Sequence, residues 1–150
     1  MISINNGTNP HTAPLGAGPI PDKHLGTLKE ALRVLTHRVR DDGGCNESFL
    51  ALPFRNDFRS FIDNPYIWIN YDPANDGELC GWTRPKVYPM DIVLTQYTLR
   101  MGKWLTAATI IHELAHLNGA PGGDSHAAEL RVLECGLHSA KGPYDPKAKG

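Results

Sequence analysis

Thr109-Ile110-Ile111-His112-Glu113-Leu114-Ala115-His116-Leu117-Asn118-Gly119 is the most informative segment of the chain. Coiled as a helix, it sets His112 and His116 four residues apart, one turn along and on one face. Two imidazoles so placed can share one zinc ion, and Glu113, a step round the helix, can reach a water on that metal. The apolar residues Trp104, Leu105, Ala107, Ala108, Ile110, Ile111, Leu114, Ala115 and Leu117 predict a helix over 103–117 buried on most sides. Gly119 is a natural stop for it. Two ordinary surface histidines are the competing reading. A buried helix with three polar groups must satisfy them, and a metal does so.

The nine residues Ala108 to His116 resemble the active-site helix of the zincin metallopeptidases, which carry H-E-x-x-H. The resemblance implies a small α+β zinc peptidase domain with this helix at the floor of a cleft. It implies one zinc per chain, with His112 and His116 as ligands and Glu113 as the catalytic general base. Further on, Gly122-Gly123-Asp124 is similar in place and glycine content to the G-T-x-D segment of the aspzincins, the lysine-specific and deuterolysin-type metalloendopeptidases. In that family the aspartate is the third zinc ligand. Here Gly123 replaces the threonine and no tyrosine or glycine follows in place, so the family's transition-state tyrosine and lysine specificity do not carry over.

A catalytic zinc needs a third protein ligand and one open position. A histidine three residues after the motif glycine is excluded, because Gly122 stands there. The candidates are His126, Asp124, Glu129 and Glu134. A last helix from about Ser125 to Leu137 is expected to turn His126, Leu130, Leu133 and Leu137 to the core, with Glu129 at the margin. His126 is therefore the expected third ligand, followed by Asp124, which also suits a helix N-cap, and then Glu129, which also suits a first turn. Tyr97, Tyr88 and Tyr144 are the available tyrosines for an oxyanion.

The remainder of the chain bounds this reading. At 150 residues it is expected to be one domain, and a net charge of −1 with interspersed signs leaves no electrostatic footprint for nucleic acid or an anionic membrane. The opening residues Met1 to Gly7 show no basic or apolar leader, which leaves a cytoplasmic protein, one exported by another route, or a mature form. Cys45, Cys80 and Cys135 contain no C-x-x-C and permit at most one internal disulfide.

Met1 to Pro21 reads as an extended or flexible arm, with His11 exposed and inert. Asp22 to Arg40 reads as a long backing helix, with Leu25, Leu28, Leu32, Leu35 and Val39 on one face and Asp41-Asp42-Gly43-Gly44 ending it. Ser48 to Leu52, Tyr66 to Tyr71 and Met90 to Leu99 have strand composition, and one of the last two is expected at the edge of a mostly antiparallel sheet. Gly81 to Pro85 reads as loop, and Lys141 to Gly150 as coil.

These readings converge on a zinc-dependent metallopeptidase: zinc lowers the pKa of a bound water, Glu113 removes its proton, and a peptide or protein is the substrate. Two alternatives remain. One is a zinc amidase on cell-wall peptide, as a toxin or effector; the other is a non-catalytic binding module that zinc holds together.

Overall fold

The computed structural model describes residues 1–75, 79–122 and 126–137. Its sheet follows from alternation in two segments, where Ile69, Tyr71, Ile92 and Leu94 interleave with Asn70, Asp91 and Val93. Strand β2 (Trp68–Asp72) pairs in parallel with β4 (Asp91–Thr95), setting Ile69 against Ile92 and Tyr71 against Leu94. Strand β1 (Ser3–Ile4) adds parallel to β2, and β3 (Gly81–Trp82) adds antiparallel to β4. The order is β1-β2-β4-β3.

Most of the pairing is therefore parallel, against the antiparallel expectation. Parallel neighbours need a long crossover, and the helical stretch between β1 and β2 supplies one. The pattern was hard to foresee because β1 lies in the N-terminal arm and is two residues long. Both strands expected at the edge are interior, and the cleft-side edge is β3, from a segment read as loop.

The arm is built into the fold. Ile2 and Ile20 join the main core, while Leu15 and Ala17 pack on Val93 across the other face of the sheet. On that face Asp91, buried, accepts hydrogen bonds from Asn9 Nδ2 at 2.7 Å and Asn70 Nδ2 at 3.0 Å, and meets His11 Nδ1 at 2.6 Å. His11 is thus tied down rather than idle: a buried carboxylate must be paired, and the arm brings the partners.

Opposite lie the helices that follow the arm. Helix α1 (Thr12–Leu15) belongs to the arm, and α2 (Asp22–Val34) runs on into a π-helical turn, Leu35–Val39, much as periodicity predicts. Helix α3 (Gly43–Leu50) replaces the strand expected at 48–52. Asp42 caps it by accepting from the Cys45 amide at 2.8 Å, so the two glycines start a helix as well as follow one. Its Phe49 then packs edge-on against Phe58 of α4 (Phe58–Ile62), ring centroids 5.3 Å apart. Helix α5 (Gln96–Met101) takes the second half of the predicted strand, because Thr95 accepts from the Thr98 amide and begins a helix there. Helix α6 (Lys103–Leu117) matches its expected bounds, and α7 (Ala127–Glu134) closes the described chain.

Cys45 and Cys135 form a disulfide joining α3 to the end of α7, and Cys80 is a buried thiol. Among the described residues no helix is long and apolar enough to cross a membrane. Tyr144 and the segment 141–150 lie outside the described residues.

Candidate metal centre

Helix α6 is buried from Leu105 to Ala115, so His112, Glu113 and their neighbours sit in the interior. His112 is 4% exposed and Glu113 is fully buried. A donor atom from each of His112, Glu113 and His116 lies within 4.8 Å of the others. The two imidazole rings meet edge to face, 4.8 Å between centroids.

The turn that ends α6 orients the second histidine. Gly119 takes φ +93°, and the Gly119 and Ala120 amides donate to the carbonyls of His116 and Ala115 at 3.0 Å each. This is a Schellman turn, which favours glycine at the left-handed position. It carries the Ala120 carbonyl back to His116 Nδ1, 2.8 Å away. Nδ1–H therefore donates to that carbonyl, and Nε2 keeps its lone pair for a metal. Asn118, buried, anchors the same turn by donating to the Phe49 and Asn56 carbonyls at 2.8 Å each.

His112 is held differently, between two carboxylates. Its Nδ1 stands 3.2 Å from Glu113 Oε1, and its Nε2 stands 3.2 Å from Glu129 Oε1. Burial pushes the imidazole pKa down, but hydrogen bonds and charge from Glu113 and Glu129 outweigh it and raise it to about 9. Burial also raises the Glu129 carboxyl, and the His112 hydrogen bond and charge, a backbone hydrogen bond and the charge of His126 together leave it below the usual range.

One possible ligand atom from each of His112, Glu113 and His116 gathers as a metal site requires, while Glu129, which meets His112 Nε2, is not part of that group. His112 Nε2 and Glu129 Oε1, hydrogen-bonded at 3.2 Å, stand at the long end of the N–H···O range. Nitrogen and oxygen ligands at about 2.0–2.1 Å on one tetrahedral zinc stand roughly 3.3 Å apart. In addition, Glu113 Oε2 is buried without a hydrogen-bond partner. Such an orphan is costly unless something else occupies the site.

Above the helix a cleft of about 290 Å³ is lined by Trp82, Thr83, Pro85, Glu113, His116, Ala120 and Gly122. Strand β3 forms one wall because Gly81 lets it press on α6. A Cβ at Gly81 would stand 2.7 Å from the Val93 carbonyl and 2.8 Å from Thr109 Cγ2. Trp82 is fixed by Nε1 donating to Asp72 at 2.9 Å, and the Arg84 guanidinium lies 4.9 Å from its ring centroid. Neither Tyr88 nor Tyr97 lines this cleft.

The structure thus brings His112, Glu113 and His116 together. His126 lies apart from them: it is exposed, with φ +54° at the N-cap of α7. The carboxylate beside His112 belongs to Glu129. The helix is rotated from its expected face, with Ala128 and Val132 buried, Cys135 in the disulfide, and Leu130 and Leu133 46% and 42% exposed, while Leu137 beyond its end is buried as expected. Small Ala128, β-branched Val132 and Cys135, spaced four and three apart, were the signal for that face, and they place Glu129 beside it. Nothing in the sequence singled out Trp82 or Thr83. Asp124 lies outside the described residues.

Comparison with family models, curated proteins and solved structures brings no match.

Proposed function

We propose that the chain is a zinc-dependent hydrolase of peptide bonds, with His112, His116 and Glu129 as metal ligands and Glu113 as general base. The observation that carries this reading is the buried, partnerless Glu113 Oε2 in a cleft wall beside His116, with His112 packed against the same carboxylate. A zinc ion held there supplies a Lewis acid for the scissile carbonyl and a bound water of near-neutral pKa.

The chain's own residues do the rest. The Ala120 carbonyl accepts from His116 Nδ1–H and so leaves Nε2 free as a ligand. Glu113 Oε2 accepts the proton of the attacking water and delivers it to the leaving amine nitrogen. Burial of Glu113 keeps bulk water from competing for that proton. The sheet ends on β3, and no further strand pairs with it among the described residues. Its free main-chain groups beside Trp82 suit an extended peptide, which an edge strand binds without demanding one sequence.

Glu113→Gln tests the assignment. The variant should keep its zinc and lose turnover of a denatured protein substrate by about a hundredfold or more. Wild-type hydrolysis by a zinc-loaded Glu113→Gln chain would refute the role given to Glu113.

A further inference from the structure

We infer that a second groove, between α2 with its π-turn and the start of α6, docks an acidic peptide segment of a partner protein. The groove encloses about 260 Å³ and is lined by Glu30, Arg33, Val34, His37, Arg38, Lys103 and Trp104. It shares no lining residue with the cleft over Glu113.

Its chemistry follows from helix geometry. Glu30, Arg33, Val34 and His37 recur at the spacing of one helical face. At Leu35–Val39 the helix widens into a π-turn, closed by the Arg40 amide donating to the Leu35 carbonyl at 2.8 Å. Such single-turn widenings are costly and concentrate at functional sites. Here it brings Arg38 alongside His37 on the same groove. The Arg38 guanidinium and the Lys103 ammonium each lie 5.6 Å from the Trp104 ring centroid.

Two cations thus flank one half-buried aromatic ring and a third, Arg33, lines the same groove, with Glu30 as the one acid on the lining. Among the described residues, Arg33, Arg38 and Lys103 make no ion pair. Two other arginines of the fold do: Arg40 is bound to Asp41 and Asp63, and Arg59 to Asp41. A chain of net charge −1 has acids enough to pair the groove and does not place them there. Helix α6 starts at Lys103 with no acidic residue in its first turn, so the positive end of its dipole adds to the same field.

Carboxylates match this site best. The planar guanidinium forks of Arg33 and Arg38 bind them in pairs, and Trp104 with Val34 offers an apolar seat for a neighbouring side chain. Nucleic acid would need a basic track running on beyond one small groove. The charge confined here takes one or two acidic side chains.

The test is fluorescence anisotropy of the whole chain with a labelled peptide of four glutamates around one phenylalanine. Binding should saturate, and should weaken about fivefold or more between low and high salt. Arg33→Gln combined with Arg38→Gln should weaken it about tenfold, and Lys103→Gln alone should weaken it measurably. Arg59→Gln, at an exposed arginine outside the groove, should leave it unchanged. Arg33 and Arg38 are exposed, so the fold should survive, and Lys103→Gln carries the test should the double variant fail to fold. Undiminished binding by these variants, equal loss with Arg59→Gln, or equal binding of a glutamine-for-glutamate peptide would overturn the proposal. Tighter binding of a single-stranded oligonucleotide of the same charge would overturn it too.

Discussion

Glu129 Oε1 stands 3.2 Å from His112 Nε2, although the two residues belong to different helices and are 17 apart in sequence. With Glu113 on the other ring nitrogen, the first imidazole of the motif is clamped between two acids. The two carboxylates raise the His112 pKa to about 9 and so favour an imidazolium in the metal-free chain. A metal can bind Nε2 only by displacing its proton. Zinc uptake at pH 7 should therefore release about one proton per chain, and affinity should rise with pH until His112 has titrated. Calorimetric titration in buffers of different ionisation enthalpy reads this number directly. Uptake with no proton released would contradict the imidazolium assigned to His112 in the metal-free chain.

Gly81 fixes how closely β3 approaches the site. Gly81→Ala drives a methyl into the Val93 carbonyl at 2.7 Å and Thr109 Cγ2 at 2.8 Å. Backbone cannot yield as a long side chain can, so a loss of about 1–3 kcal/mol is expected. Gly26→Ala, in the interior of α2 with nothing within 4 Å of the added carbon, should instead stabilise by roughly 0.5–1 kcal/mol. Urea midpoints for the two variants should move in opposite directions.

His24 gives the fold an acid limit. It is buried beside Tyr71, its Nε2 has no hydrogen-bond partner, and its pKa is lowered by burial first and by Lys23 and Arg100 next. The unfolded chain takes up a proton near pH 6.5 that the folded chain refuses. Stability is lost as pH falls through that region and is retained above it. Between pH 7.5 and 5.5 the wild type should lose more stability than His24→Gln, as read by urea unfolding at each pH. Equal losses would remove His24 from the account.

The Cys45–Cys135 disulfide closes a loop with a sequence separation of 90. Loop-closure entropy puts its contribution on the order of 4–5 kcal/mol. Since it also clamps the end of the helix that bears Glu129, Cys45→Ser with Cys135→Ser should lower both the unfolding midpoint and zinc affinity. A stable double variant with unchanged zinc affinity would show that Ala128 and Val132 alone set the helix.

How much was legible depended on how local each signal was. Helices α2 and α6 declared themselves through long apolar periodicity, and His112, Glu113 and His116 came with the second of them. The Gly119 stop was readable because a left-handed turn residue has a strong chemical preference. Strands β1 and β3 were not, at two residues each, and the partner of β1 lies far away in sequence. The strand expected at 48–52 failed because Asp42 capping and the disulfide outweigh β-propensity. The choice of Glu129 over His126 beside His112 turned on which face of α7 is buried. Leu130 and Leu133 pointed one way and Ala128, Val132 and Cys135 the other, and the side carrying the covalent link prevailed.

The most direct test of the proposed centre is zinc content per chain, by elemental analysis after dialysis, for wild type, Glu129→Ala and His126→Ala. The account predicts one zinc in the wild type and in His126→Ala, and loss of most of it in Glu129→Ala. A Glu129→Ala chain that keeps its zinc while His126→Ala loses it would contradict the assignment of the third ligand, and a wild type that retains none would contradict the metal centre itself.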